Sequence, residues 1–338
     1  MTERVNRQIL LAYRPVGEPT ESNFQIVESP MPPLEDGQVL CRTLYLSLDP
    51  YMRGRMNAGR SYAQPVEIGQ VMIGGTVSQV VESKAPQFGK GDFVLGYDGW
   101  QSYGISTASA LTKIDPKPFP LSYYLGVLGM PGMTAYVGLL DIGKPQAGET
   151  VVVSAAAGAV GSAAGQIAKI RGCRVVGSAG SDAKCQFVVD ELGFDACINY
   201  KTQSIYRGLK KACPDGIDVY VDNVGGETLA SVLRLINIGA RIPLIGMISQ
   251  YNATELVAGP NLMPLLVQRA MIQGMIVGDH ADRREAFLAD MASWLKDGKM
   301  KCREHVVEGL DNAPRAFIGL FHGENIGKLI VKVAEPEV

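Results

Sequence analysis

Ser154-Ala155-Ala156-Ala157-Gly158-Ala159-Val160-Gly161 is a run of small residues whose setting suits it to hold a phosphate group. Val151, Val152 and Val153 lead into it as a strand, and GSAAGQIAKI leaves it as a helix. Set against the pattern G-x-G-x-x-G, the three positions fall on Ala156, Gly158 and Gly161. Gly158 would let the backbone come close to a pyrophosphate, and Gly161 would let the helix lie against the strand. The helix start, with Ala159 and Val160 between the glycines, offers free N–H groups and the positive dipole end. Ala156 departs from the pattern and is tolerable if it keeps a negative φ. Alone, such a loop could be a plain turn; the strand before it and the helix after it favour the cradle.

The next strand decides which dinucleotide fits. An NAD site places an acid at the end of the second strand to bond the ribose hydroxyls. Here that strand ends in Gly177-Ser178-Ala179-Gly180-Ser181, and Asp182 comes late enough to open the following helix. A carboxylate about 4 Å from a 2′-phosphate would cost roughly 4 kcal/mol at surface dielectric. Ser181 and Lys184 reverse that sign, so the segment predicts NADP(H), with a merely solvated Lys184 as the alternative.

Other chemistry is sparse. A catalytic zinc takes three Cys, His or Glu ligands and a structural zinc usually four cysteines. The first 172 residues hold Cys41 and no histidine, while His280, His305 and His322 are scattered. No metal site is expected. Cys41, Cys173, Cys185, Cys197, Cys213 and Cys302 form no C-x-x-C pair and read as small reduced hydrophobes. Tyr206 and Lys210 have the Y-x-x-x-K spacing of a tyrosine–lysine base, but on a short helix that should cover the sheet away from its carboxyl edge. What remains is hydride addition to an activated C=C, for which a neutral hydroxyl near the carbonyl oxygen suffices. Tyr251 in GMISQYN follows a strand end, and Tyr51 in LDPYMRGR lies on a turn of the first domain. Isolated tyrosines are more often structural, so on the residues alone both roles stay open.

The elements that must position these groups change rhythm along the chain. Arg7–Tyr13, Phe24–Glu28, Val39–Leu48 and Gln70–Val81 read as strands separated by Pro and Gly, which predicts an antiparallel, barrel-like domain. From about residue 122 to 300, strands and helices alternate. Strand Thr150–Ser154, helix Gly161–Arg171, strand Arg174–Ser178, helix Asp182–Leu192 and strand Ala196–Asn199 lead on to Asp218–Asp222, a helix around Glu227–Leu235 and strand Arg241–Gly246. That order predicts a parallel, doubly wound sheet. Glu304–Glu308 and Lys328–Val333 read as strands returning to the first domain. A net charge of −2 without long Lys or Arg runs argues against a nucleic-acid partner. Neither an N-terminal apolar leader nor a membrane-length apolar stretch is evident, which suits a cytoplasmic protein.

Taken together, GMPGMTAYVGLLDIG, the glycine loop, NYKT, DNVGGE, GMISQYN, NIGKLIVKV and LSLDPYMRGRM resemble the zinc-free branch of the medium-chain dehydrogenase/reductase superfamily. Within it, the pattern is similar to the subfamily of prostaglandin, alkenal double-bond and curcumin reductases. The resemblance implies an α/β fold, with a GroES-like β-rich catalytic domain from residues 1–125 and 303–338 and a Rossmann NADP-binding domain over 126–302. It implies NADPH-dependent reduction of the C=C bond of α,β-unsaturated ketones and aldehydes, by a homodimer. Gly158, Ala159, Val160 and Gly161 would hold the pyrophosphate; Gly180, Ser181, Lys184 and Tyr200 would hold the 2′-phosphate. Asn223 and the segment Ile245, Gly246, Ser249 and Tyr251 would line the cofactor cleft. Met275, Ile276 and Val277 would flank the nicotinamide, and Asn325 would close over the cofactor. Tyr251 would bond near the substrate carbonyl and Tyr51 would line the substrate pocket. Tyr200, Asn223 and Asn325 have structural alternatives as a packed strand end, a turn and a cap. The helix over Lys184–Gly193 is a residue longer than the animal relatives' pattern, and the loop from Asn57 to Glu67 matches nothing that would fix the substrate. A quinone reductase of the same superfamily, or an NADP(H)-binding protein without turnover, are the competing readings.

Overall fold

Alternating apolar residues bounded by Gly and Pro produce the strands of the N-terminal part: β1 (Val5–Leu11), β2 (Phe24–Pro30), β3 (Gln38–Ser47), β4 (Thr76–Ser83), β5 (Phe93–Gly96), β6 (Tyr103–Thr107) and β7 (Thr112–Ile114). A computed structural model describes residues 4–337; residues 1–3 and 338, which the expected first domain includes, lie outside the described residues. The chain forms two units by its internal contacts. One runs up to Leu125 and takes in Glu304–Asn325 and the stretch from Leu329; the other comprises Gly126–Arg303 and Ile326–Lys328.

Valine or isoleucine recurs in every strand of the second unit: β8 (Thr150–Val153), β9 (Arg174–Ala179), β10 (Ala196–Asn199), β11 (Ile217–Val221), β12 (Ile236–Leu244) and β13 (Met271–Gly274). They form one six-stranded sheet in the order β10-β9-β8-β11-β12-β13, and every pairing is parallel. Val151, Val152 and Val153 are completely buried, as a central strand covered on both faces requires. The order doubles back across β8 and β11, so the crevice where ligands bind in such sheets opens at their carboxyl ends. The doubly wound sheet is therefore as the alternation predicts.

The last strands, β14 (Glu304–Glu308) and β15 (Lys328–Lys332), complete a seven-member sheet ordered β14-β15-β3-β4-β5-β7, with β6 also on β3. Its registered pairings are antiparallel, and β1 and β2 form a separate antiparallel pair. Trp100 anchors this unit's core, stacked on Phe24 at 5.4 Å and edge-on to Phe317 at 5.6 Å.

Several boundaries differ from the sequence reading; the strand expected over Arg241–Gly246 runs over Ile236–Leu244. The expected strand Gln70–Val81 begins only at Thr76. Before it, Val71 makes an isolated bridge to Leu10, and a Cβ on Gly74 would press on Leu46 at 2.7 Å, so the chain must run close there rather than pair. The helix expected from Gly161 starts at Ala159 and runs to Ile170, because Gly158 is its N-cap with an extended backbone. The helix expected over Asp182–Leu192 is α-helical only to Gln186 and continues as a π turn over Phe187–Glu191. A π turn holds an additional residue. Among the described residues, no helix is long and apolar enough to cross a membrane.

Gly165 fixes how the Ala159–Ile170 helix packs, since a Cβ there would run into the ring of buried Phe194. Alanine gains about 1 kcal/mol of helix propensity over glycine, but overpacking costs about 1–3 kcal/mol. Gly165→Ala is expected to lower the urea midpoint, and adding Phe194→Leu to recover part of the loss; a midpoint that rises in the single variant contradicts this packing.

Candidate functional site

The glycine loop owes its shape to one residue in an unusual conformation. Ala155 has φ +50°, whereas Ala156 is not among the residues of positive φ, so the departure from glycine at Ala156 is tolerated as expected. The Ala155 carbonyl accepts the Gly158 N–H at 2.9 Å, and a Cβ on Gly161 would collide with that same carbonyl. Gly161 is thus required for packing. Gly158 is less constrained, since its added Cβ would meet only the Ala155 oxygen, at 3.2 Å. No side chain caps the helix that Gly158 opens, so the N–H groups of Ala159, Val160 and Gly161 stand in a helix's first turn with no partner from the cap residue. From the far end of the chain, the Gly327 N–H donates to the Ala157 carbonyl at 2.7 Å. Gly327 has φ +75°, and a side chain there would strike the Arg303 backbone. Asn325 lies two residues before it in the chain, half-buried.

At the tips of β9 and β10 the structure gathers Gly180, Ser181, Lys184 and Tyr200. Ser181 caps the Asp182–Gln186 helix by accepting the Lys184 N–H at 3.3 Å. Gly180 is open toward Tyr200: a Cβ would sit 2.8 Å from the tyrosine oxygen and 3.4 Å from Lys201 Cε. Burial, and next the charge of Lys201, lower the pKa of Lys184. Burial raises that of Tyr200, which stays a neutral hydroxyl. Lys201 is the residue that sequence reasoning passed over, although NYKT contains it. Asp182, read as a helix opener, is in the first turn and accepts the Asn199 amide at 2.8 Å.

Across the sheet, buried Asp222 ties the end of β11 to β8. One carboxylate oxygen accepts the Tyr220 hydroxyl at 2.8 Å and the N–H groups of Val224 and Gly225 at 2.9 and 2.8 Å. The other is buried without a partner among the described residues, and burial raises the Asp222 pKa. The turn so formed carries Asn223, whose backbone N–H reaches Ser154 Oγ at 2.9 Å and whose amide reaches the Ser154 carbonyl at 2.8 Å. Asn223 is therefore a turn residue that pins the start of the glycine loop. Neither Asp222 nor Ser154 was singled out from sequence; the signal was the acid directly before the N-V-G-G turn.

Past β12, Ile245 and Gly246 both donate their N–H to the Asp222 carbonyl, at 2.8 and 3.1 Å. Ser249 Oγ donates to the Val224 carbonyl at 2.5 Å. Tyr251 folds back, its oxygen accepting the Met247 N–H at 3.4 Å and lying 3.1 Å from where a Gly246 Cβ would be. Burial raises its pKa, only partly offset by that N–H, so the phenol keeps its proton. Met275 is buried and follows β13, its N–H on the Leu244 carbonyl at 3.2 Å, with Ile276 exposed and Val277 half-buried beyond it. In the other unit, Tyr51 precedes the short Met52–Arg55 helix and packs on the core that includes Trp100. Burial is the main cause that raises its pKa; Asp49, Tyr97 and Tyr62 act in the same direction. Tyr62 belongs to the unassigned Asn57–Glu67 loop.

Several residues stay apart from these groups. Tyr206 lies under Arg234, whose guanidinium carbon is 3.7 Å from the ring centre, on the helix Ile205–Ala212. His322 pairs with Glu18 at 2.5 Å. Among the described residues no three His, Cys, Asp or Glu side chains are placed to hold a metal ion. Cysteines 41, 173 and 213 are buried and Cys185, Cys197 and Cys302 half-buried; all six are free thiols, and the Sγ atoms of Cys185 and Cys197 lie 2.6 Å apart, a proximity their spacing in the chain does not show.

Known proteins match along the whole chain. Residues 7–114 match a family described as the N-terminal domain of oxidoreductase, and residues 159–293 one described as zinc-binding dehydrogenase. The NADPH-dependent curcumin reductase of Escherichia coli is 51% identical over 97% of both chains. The 2-alkenal reductase (NADP(+)-dependent) of Nicotiana tabacum is 44% identical over 99% of both. The crystal structure of CurA from Vibrio vulnificus in complex with NADPH superposes with a TM-score of 0.94 at 53% identity, covering 98% of this chain and 100% of that one. A chain this similar along its full length to these reductases belongs to the medium-chain dehydrogenase/reductase superfamily, in the subfamily of curcumin, prostaglandin and alkenal double-bond reductases.

Proposed function

We infer that this protein reduces the C=C bond of α,β-unsaturated ketones and aldehydes with NADPH. The observation that carries the reading is 51% identity with an NADPH-dependent curcumin reductase along 97% of both chains. The residues at the strand tips suit that coenzyme. The uncapped first turn at Gly158, Ala159, Val160 and Gly161 offers N–H groups to a pyrophosphate. Gly180, Ser181, Lys184 and Tyr200, joined by Lys201, offer hydroxyls and two cations to a 2′-phosphate, while Asp182 is engaged by Asn199. In the same proposal Asn223, Ile245, Gly246 and Ser249 line the cleft, and Met275, Ile276 and Val277 flank the nicotinamide. Asn325 and Tyr51 keep their expected roles as cofactor-covering and substrate-lining residues.

Bound NADPH would supply a hydride to the β-carbon of the conjugated carbonyl. As that happens, negative charge gathers on the carbonyl oxygen, and a fixed donor there lowers the barrier. Tyr251 has the needed form: its oxygen is held by the Met247 N–H, and burial keeps its proton on for donation. Loss of that proton would convert the donor to an anion facing an anion.

A homodimer is part of the proposal. β13 ends the six-stranded sheet, so one side of its backbone is open to pairing. Leu262, Met263, Leu266, Val267, Met271 and Ile276 are exposed around it. A second copy would cover both, since a two-fold axis brings like surfaces together.

Three measurements test these readings. Steady-state assays with NADPH should show oxidation by simple enones and enals, with Tyr251→Phe losing on the order of tenfold to a hundredfold in kcat while the NADPH dissociation constant stays put; full activity in the variant assigns the carbonyl donor elsewhere, and oxidation by quinones alone removes the substrate class. Lys184→Ala should weaken NADPH roughly 10- to 100-fold and NADH little. In the wild type, NADPH binding should fall as pH rises through the lowered Lys184 pKa, because the free enzyme then loses the cation, and this alkaline limb should vanish in Lys184→Ala. Light scattering should give twice the chain mass for the wild type and a shift to monomer for Leu266→Glu with Val267→Lys; a monomeric wild type rejects the interface.

A further inference from the structure

Cys185, in the Asp182–Gln186 helix, and Cys197, in β10, face each other with their sulfurs 2.6 Å apart. Both are half-buried, so neither is sealed from solutes. A disulfide bond measures about 2.05 Å, so bonding distance is about half an ångström away. Nothing in the proposed reduction uses either thiol.

We propose that Cys185 and Cys197 form a dithiol–disulfide site that reacts with low-molecular-weight disulfides, and that closing the bond tightens NADPH binding. Cys185 is the attacking sulfur. It accepts the S–H of Cys197, the main cause that lowers its pKa, with burial and Asp182 opposing and the Ala179 backbone assisting; the same contact raises that of Cys197. In the first step the Cys185 thiolate attacks one sulfur of R–S–S–R, forms Cys185–S–S–R and expels RS⁻. Cys197 then gives its proton to the released RS⁻ and attacks the Cys185 sulfur, expelling the second RS⁻, which takes up from water the proton that Cys185 gave up on becoming a thiolate. Two electrons and two protons pass from the protein dithiol to the small disulfide, which leaves as two thiols.

Position gives the bond its consequence. Cys185 directly follows Lys184 in the helix that Ser181 caps, and β10 runs straight into Tyr200 and Lys201. A bond between these elements fixes the spacing of the two side-chain groups proposed to hold the 2′-phosphate, which lowers the ordering cost of binding. This consequence rests on the 2′-phosphate assignment; formation of the disulfide does not.

The test treats the full chain with glutathione disulfide, maps its cysteines by alkylation and peptide mass spectrometry, and titrates NADPH and NADH by fluorescence. The expected result is a Cys185–Cys197 linked peptide, reversed by dithiothreitol, with an NADPH dissociation constant lowered by about threefold or more and an unchanged constant for NADH. Cys197→Ser should stop at one glutathione on Cys185, and Cys185→Ser with Cys197→Ser should show no change in NADPH binding on the same treatment. Alkylation of both cysteines after treatment, or adducts only on other cysteines, overturns the site. A linked peptide with an unchanged NADPH constant overturns the coupling. If the disulfide forms and Lys184→Ala discriminates nothing between NADPH and NADH, the 2′-phosphate reading fails while the thiol site stands.

Discussion

The approach of the Gly161 backbone to the Ala155 carbonyl is the contact on which the dinucleotide unit depends. It allows the Ala159–Ile170 helix to begin directly above the end of β8, with its first N–H groups facing outward. Reaching it requires Ala155 to adopt a left-handed conformation, which costs an L-residue roughly 1–2 kcal/mol. Two hydrogen bonds on either side, Gly158 N–H to Ala155 and Ala156 N–H to Ser178, return about 0.5–1.5 kcal/mol each. The strain is therefore offset locally, and the loop can keep its shape before any ligand arrives. Asn223 braces the same loop at Ser154, Ser178 at Ala156 and Gly327 at Ala157, so it is fixed from three directions.

Charge at the strand tips follows from where the carboxylates go. Asp222 is withdrawn into the sheet, where Tyr220 and two backbone N–H groups occupy one of its oxygens. Asp182 remains near the β9 tip but accepts from Asn199. The charge of Lys201 disfavours that of Lys184 and is the cause, after burial, of the lowered Lys184 pKa. Such a pair gains most from an anion placed between them, since that anion relieves the repulsion as well as binding each cation. In the proposed assignment that anion is the phosphate on the adenosine ribose.

Much of this was legible in the sequence because it rests on local pattern. Three consecutive valines before a small-residue turn read as a central strand, and glycine at 161 reads as a close approach once that strand precedes it. Ser181 and Lys184 at a strand tip and Tyr251 beyond a strand end follow from the same order of elements; that Ser181 caps the helix does not. What stayed hidden is what distance along the chain conceals. Gly327 reaches the loop from 169 positions away in numbering (327 − 158), with only NIGK as a sign. Lys201 was masked by the more conspicuous Tyr200. Cys185 and Cys197 look unrelated at a spacing that matches no thiol motif, and only the crossover from β9 to β10 brings them together. The start of β4 was misplaced because the apolar Val71, Met72 and Ile73 lie just ahead of it, and hydropathy does not register that Gly74 must lie against Leu46.

The π turn at Phe187–Glu191 resolves a conflict within that crossover. Upstream, the Ser181 cap fixes the rotation of the helix, which sets Lys184 and Cys185 toward the β9 and β10 tips. Downstream, Phe187 and Val188 must be buried, and Phe194 must arrive beneath Gly165. Each residue of an α-helix turns the side chain by about 100°. A helix that carried the additional residue in strict α geometry would satisfy one of these demands and rotate the other out of place. Widening a single turn takes up the added residue, and the chain closes it where Phe194 N–H meets the Val188 carbonyl at 3.1 Å. The extra residue therefore displaces neither the polar tip nor the apolar seat, and the Tyr200 hydroxyl still reaches Gly180.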